Sequence, residues 1–192
     1  MKPRKIKAAL FGVALAFAVP LAHSQTTTPG LYIGAGLGQS EAKDKFTCTG
    51  FTVCKKTGAA AKFFGGYQFH PNFAVEAGYT DLGRATRGTS TSTTNLEVGL
   101  GEMTVMGSYP VSDKFMGYGR LGGYYARSTA TTTGSSSANE ANGGVTFGMG
   151  AQYFLTNSLG VRGEFQRYMK VGGGTLIDID YNAFTAGLLW KF

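Results

Sequence analysis

The sequence predicts an all-β fold: an eight-stranded antiparallel up-and-down β-barrel that spans a membrane. Three observations predict it. After the first 21 residues no apolar stretch approaches the ~20 residues that a membrane-crossing helix needs. The rest of the chain alternates large apolar residues with small or polar ones at period two, the signature of strands with two unlike faces. Long polar stretches take turns with tight ones, as in a barrel with long loops at one end and short turns at the other. In hydrocarbon a strand survives only where a closed barrel pairs every backbone group.

The first segment is a targeting device. Lys2, Arg4, Lys5 and Lys7 precede an apolar run from Ala8 to Leu21, which closes with Ala22-His23-Ser24 before a cut at Gln25. Residues 1–24 therefore read as a cleaved secretory signal peptide, and 25–192 as one barrel domain. The chain holds 18 Lys+Arg and 11 Asp+Glu, but four basic residues lie in the leader, leaving 14 against 11, or +3. So small an excess gives nucleic-acid binding no support. Cys48 and Cys54 are the only cysteines and share one polar stretch. Export places them in an oxidising compartment, where a disulfide stapling the loop is the default. A two-cysteine metal site is the rival, and no histidine lies near it.

The strands follow in order. In the first, 31–39, Leu31, Ile33, Ala35 and Leu37 point one way and Tyr32, Gly34, Gly36 and Gly38 the other. The second, 59–69, sets Ala61, Phe63, Tyr67 and Phe69 against Lys62 and Gln68. His70-Pro71-Asn72 turns the chain into the third, 73–80, where Phe73, Val75, Ala77 and Tyr79 alternate with Glu76, Gly78 and Thr80. The fourth runs to Tyr109, with Met103, Val105 and Tyr109 outward and Glu102, Thr104 and Ser108 inward. Upstream its parity fails, because Leu96, Val98 and Leu100 fall on the inner face; a bulge near Gly99–Gly101 would repair it. Pro110-Val111-Ser112-Asp113 leads to the fifth, 115–126, with Arg120 inward and Leu121 outward. The sixth, 143–155, sets Val145, Phe147, Met149, Ala151 and Tyr153 against Thr146, Gly148, Gly150 and Gln152. Thr156-Asn157-Ser158 precedes the seventh, 159–168, with Leu159, Val161 and Phe165 outward and Arg162, Glu164 and Gln166 inward. In the last, Phe184, Ala186, Leu188, Trp190 and Phe192 share one face and Thr185, Gly187 and Lys191 the other, while Ile177-Asp178-Ile179-Asp180 is out of phase.

Loops are expected at 40–56, 81–95, 127–141 and 169–180; with eight strands, both termini then lie in the periplasm. A soluble, ligand-enclosing barrel also alternates, but it turns its apolar face inward. Here glycine, threonine and charge occupy the other face, and an eight-stranded lumen barely admits side chains.

Gly65-Gly66-Tyr67-Gln68 through Pro71-Asn72, then Glu76-Ala77-Gly78-Tyr79, Asp81 and Leu82-Gly83-Arg84, resembles the strand 2–3 hairpin of the outer membrane protein A-like family. Tyr109-Pro110 with Arg120-Leu121-Gly122-Gly123 looks like its strand 4–5 hairpin, and Arg162-x-Glu164 before Phe165-Gln166 like its strand 7. The resemblance covers most of 30–192 and implies a Gram-negative outer-membrane barrel. It implies that the terminal strand, through Phe184, Leu188, Trp190 and Phe192, is the signal read by the barrel-assembly machinery. It also implies two departures: the chain stops at the barrel without the family's periplasmic peptidoglycan-binding domain, and Met106 stands where the family has a lumen lysine.

Lys62, Glu76, Glu102, Arg120, Arg162 and Glu164 fall on the inner face, three charges of each sign in a narrow space where unpaired charge is costly. They make either a plug of paired charges, the favoured reading, or the gate of a narrow path for ions or small solutes. No catalytic, cofactor or metal site is expected. The one histidine after the leader, His70, sits in a short turn, and Asp178 and Asp180 read as solvated. The expected role is structural, with external loops available for adhesion or recognition of host or surface ligands. The expected surroundings are outer-membrane lipids and lipopolysaccharide, around a monomer.

Overall fold

A computed structural model describes residues 29–43, 48–134, 137–173 and 176–192. The leader expected over 1–24 lies outside these residues, as do 44–47, 135–136 and 174–175 of the expected loops. Eight long strands run up and down: β1 (Gly30–Ala42), β3 (Thr57–His70), β4 (Phe73–Gly88), β5 (Thr93–Pro110), β6 (Phe115–Thr132), β7 (Ala138–Phe154), β8 (Leu159–Gly173) and β9 (Leu176–Lys191). A three-residue strand, β2 (Val53–Lys55), pairs with the far end of β4. All pairings are antiparallel, and β1 meets β9 from Tyr32↔Lys191 to Ala42↔Tyr181, so the sheet closes on itself.

The faces follow the pleat. Leu37 is 72% exposed and Met103 69%, while Thr80 and Thr146 are fully buried. A wall this apolar on the outside is incompatible with water and suits lipid. Each short turn is closed by its own polar residues. Asn72 N–H donates to His70 Nδ1 at 3.2 Å and Asn72 Nδ2 to Ser108 O at 2.9 Å. At the third turn Leu159 N–H donates to Thr156 Oγ1 at 2.9 Å.

Two expectations about phase are corrected. Pairing of β5 with β6 runs from Thr94↔Thr132 to Pro110↔Met116 without a shift, so no bulge lies in β5 at Gly99–Gly101. The irregularity is in β4, where Asp81↔Gly99 is followed by Arg84↔Glu97, one extra residue on the β4 side. Gly83 turns there with φ 68°, its N–H bonded to Asp81 Oδ1 at 2.7 Å, and a Cβ would lie 2.3 Å from Ala59 O. Val98 and Leu100 keep their inward phase, 2% and 1% exposed, as do Ile179 and Tyr181 on β9. With Leu82, Ala85, Tyr124, Tyr168 and Val171 they form an apolar core inside the barrel, at the end away from the termini. What looked like faults in the pattern is a second hydrophobic layer, facing in.

Three of the expected long loops, 81–95, 127–141 and 169–180, are mostly strand, while in 40–56 only 40–42 and 53–55 are. β4 and β5 are joined by residues 89–92 alone, with Thr89 N–H donating to Ser92 O at 2.8 Å. β6 ends at Thr132 and β7 begins at Ala138. Threonine is β-branched and suits strands, and here it pairs with itself: Thr94 with Thr132 at 2.9 Å, Thr93 with Thr133 at 3.1 Å. Both β5 and β6 have 18 residues, where crossing a membrane takes about 9–11. Cys48 and Cys54 form a disulfide, Cα–Cα 5.7 Å, and Cys54 lies in β2 beside Arg87 of β4.

Candidate functional site: the lumen charge lattice

The pleat delivers one charged residue or two from each of five strands to the same level of the lumen. Lys62 comes from β3, Glu76 from β4, Glu102 from β5, Arg120 from β6, and Arg162 with Glu164 from β8. All six side chains are buried. Lys62 Nζ reaches Glu164 at 2.5 Å and Glu102 at 2.7 Å. Arg120 reaches all three carboxylates: Glu164 at 2.7 Å, Glu76 at 2.9 Å and Glu102 at 3.1 Å. Arg162 holds Glu76 at 2.6 Å and Glu164 at 2.8 Å. Three cations thus share three anions, and the lattice is neutral as a unit. Buried ions are tolerated only under such conditions, with remaining donors and acceptors also matched.

Neutral side chains extend the matching, which leaves the buried Arg120 Nε without a hydrogen-bond partner. Gln166 accepts from Lys62 at 2.7 Å and donates to Glu102 at 2.7 Å and Thr146 at 2.8 Å. The Tyr118 hydroxyl donates to Glu164 at 2.7 Å and accepts from Arg162 Nε at 2.6 Å. Tyr168 donates to Glu102 at 2.9 Å, and Tyr32 to Glu76 at 3.2 Å. The Arg162 guanidinium lies 4.4 Å from the ring centre of Phe64 and 4.6 Å from that of Tyr118, so its flat faces meet rings while its edges meet carboxylates.

Sequence reasoning named the six charges and placed Tyr32, Thr104, Thr146 and Gln166 on the inner face, but missed Phe64, Tyr118 and Tyr168 as members. Their parity was available: Tyr118 shares a face with Arg120 and Tyr168 with Gln166. Met106 is 1% exposed and lines the lumen; its sulfur lies 3.6 Å from both Tyr32 Oη and Arg162 Nη2. The lattice is covered on the terminal side by Tyr32, Phe64, Met106, Tyr118 and Leu189, and on the other side by the apolar core. Phe184, Leu188 and Trp190 lie elsewhere, exposed on the outer face of β9, and Phe192 is exposed just beyond its end. His70 ends β3 at the short turn, paired with Phe73 and 5.6 Å from its ring.

Residues 26–192 match the OmpA-like transmembrane domain. Outer membrane protein A of Salmonella typhi is 31% identical over 201 residues, an alignment covering 98% of this chain and 55% of that protein. The chain therefore spans about half the length of such relatives. Among solved structures, Neisserial surface protein A superposes with a TM-score of 0.64 at 14% identity, covering 85% of this chain and 97% of that one. Ail, the attachment invasion locus protein of Yersinia pestis, superposes at 0.57 and 17% identity, covering 86% of this chain and 100% of its own. These structures share the fold. The family match over residues 26–192 and the relative at 31% identity place this chain in the OmpA-like transmembrane domain family, as an integral β-barrel of the bacterial outer membrane.

Proposed function

We propose that the protein is a closed structural barrel, a span that stabilises and displays rather than conducts. The observation that carries this reading is the filled lumen. Beside Lys62, Phe64, Arg162 and Glu164 lies a cavity of about 10 Å³, at the lower limit of what one water molecule occupies. An ion would have to break several charge-assisted bonds at once to pass.

Single-channel recording in planar bilayers tests it. The parent chain is expected to give no stable openings, and Arg120→Ala to give openings if the lattice is the barrier. Frequent, stable openings of the parent that Arg120→Ala alters would establish the second reading, a narrow channel for ions or small solutes.

The strand ends beyond the membrane are the display surface in this proposal. Both termini lie in the periplasm, and the β4–β5 and β6–β7 hairpins stand outside the cell, where they meet host or surface ligands. Phe184, Leu188, Trp190 and Phe192 serve as the assembly signal, and outer-membrane lipids and lipopolysaccharide surround the wall. Replacing residues 89–92 and 133–137 by minimal turns tests display: unchanged adhesion and phage sensitivity would refute it.

A further inference from the structure

A groove of about 900 Å³ runs down the outer wall where β4, β5 and β6 leave the apolar band. Three rows of paired residues build it. In the lowest, Tyr79 of β4, Gly101 of β5 and Tyr125 of β6 are direct neighbours; in the next stand Asp81, Gly99 and Arg127; in the third, Arg84, Glu97 and Thr129. The floor is glycine. A Cβ at Gly101 would meet nothing within 4 Å, so the trough there is open to the surroundings. Lys55 of β2 stands at the upper rim.

The level of the groove follows from strand geometry. From Tyr109, at the short-turn end, to Gly101 is eight residues, about 26 Å along the strand at ~3.3 Å each. A tilt of about 40° reduces that to about 20 Å, close to the ~25 Å apolar band of such barrels. Tyr79 and Tyr125 therefore sit at the band's far edge, where tyrosine marks the interface with lipid headgroups. Below them the wall is Ala77, Met103 and Gly123; above them it is charged.

The charges are not equivalent. Arg84 is engaged by Glu97, with Nε at 2.7 Å from the carboxylate, and Asp81 Oδ1 is taken by the Gly83 N–H. Among the described residues, Arg127 and Lys55 have no carboxylate partner. Arg127 and Lys55 thus stand above a trough floored by Gly101 between Tyr79 and Tyr125, in a lining that also holds Asp81 and the Arg84–Glu97 pair.

We propose that this groove seats one membrane lipid with a phosphate headgroup, its acyl chain over Gly101 between Tyr79 and Tyr125 and its phosphate against Arg127 and Lys55. The occupant is a lipid rather than a free anion because the trough continues into the lipid-facing wall. Nothing in the proposal depends on whether the lumen conducts.

Native mass spectrometry of the folded barrel in uncharged maltoside micelles tests it. The probes are phosphatidic acid, a diacylglycerol with the same chains, and inorganic phosphate. One phosphatidic acid is expected per barrel, held at least about tenfold more tightly than the diacylglycerol, as one charge-assisted contact implies. Arg127→Gln with Lys55→Gln is expected to remove that preference. Gly101→Leu is expected to weaken both lipids by filling the trough, while Lys114→Gln, in a turn at the other end, changes nothing. Equal binding of diacylglycerol and phosphatidic acid, or equal binding of inorganic phosphate and the lipid, would overturn the proposal on the parent chain alone. So would double-variant binding equal to the parent's, or a loss in Lys114→Gln as large as the double variant's.

Discussion

Glu164 takes bonds from Lys62, Arg120, Arg162 and the Tyr118 hydroxyl, all at 2.5–2.8 Å. Glu164→Gln keeps the shape and removes the charge, leaving three cations against Glu76 and Glu102. The new amide also turns a donor toward groups that are donors already. Removing one partner of a buried ion pair costs roughly 3–5 kcal/mol, chiefly through the charge left unmatched. At a urea slope of ~2 kcal/mol/M, a loss of about 4 kcal/mol moves the unfolding midpoint down by about 2 M. The assay is reversible urea unfolding in lipid vesicles, followed by tryptophan fluorescence of Trp190 and by heat-modifiable gel migration. Adding Lys62→Met restores neutrality with two ions of each sign. Glu102 then retains Arg120, Tyr168 and Gln166. The double variant is expected to recover about 2 kcal/mol relative to the sum of the single ones, within the range seen for residues sharing a network. A Glu164→Gln midpoint within ~0.3 M of the parent, equivalent to about 0.6 kcal/mol at that slope, would mean the lattice is wet and screened. The plug would then fail as an account of the lumen.

Gly83→Ala places a methyl group against Ala59 O at a positive φ; a loss of about 1–3 kcal/mol is expected from strain and overpacking, measured by the same unfolding assay. Cys48→Ser with Cys54→Ser opens the staple that closes the chain from Cys48 back onto β2; proteolysis within 48–56 is expected to rise while the barrel keeps its heat-modifiable migration, and unchanged cleavage would show that pairing with β4 suffices. Phe192→Ala, on the exposed last residue, is expected to lower the amount assembled in cells several-fold without altering refolding of purified protein into detergent; equal losses in both would make Phe192 a packing residue instead.

The barrel and its inner charges were legible because parity in a β-strand is a one-bit code, and Arg120, Arg162, Glu164 and Lys62 each sit among unmistakable outward neighbours. The code misled where both faces are apolar. Val98 and Leu100 look out of place only if the inside must be polar, and the same assumption made Ile179 a fault. An eight-stranded lumen is narrow enough to be packed as a core, and above the lattice it is. Loop length was misread for a related reason. Serine, threonine and glycine tracts read as irregular chain, but in threonine pairs such as Thr94–Thr132 neighbouring strands satisfy each other's hydroxyls. The β4 bulge was hidden because its evidence is long-range: Gly83 is explained by Ala59 on another strand, not by the residues beside it.

The six lattice charges are drawn from β3, β4, β5, β6 and β8, and the seam that shuts the wall joins the first long strand to the last. Each hairpin's lattice ions are neutral by formal charge, but the ion pairs of Lys62 and Glu76 lie on other hairpins. The β3–β4 hairpin brings one charge of each sign, as does β5–β6, but β8 holds the acid and base on which Lys62 and Glu76 depend. A half-built sheet in hydrocarbon would carry raw strand edges and solitary ions together, each at several kcal/mol. Insertion of this chain is therefore all-or-nothing. The sheet must curl and zip almost complete, with its ions meeting in the same event that brings β1 against β9.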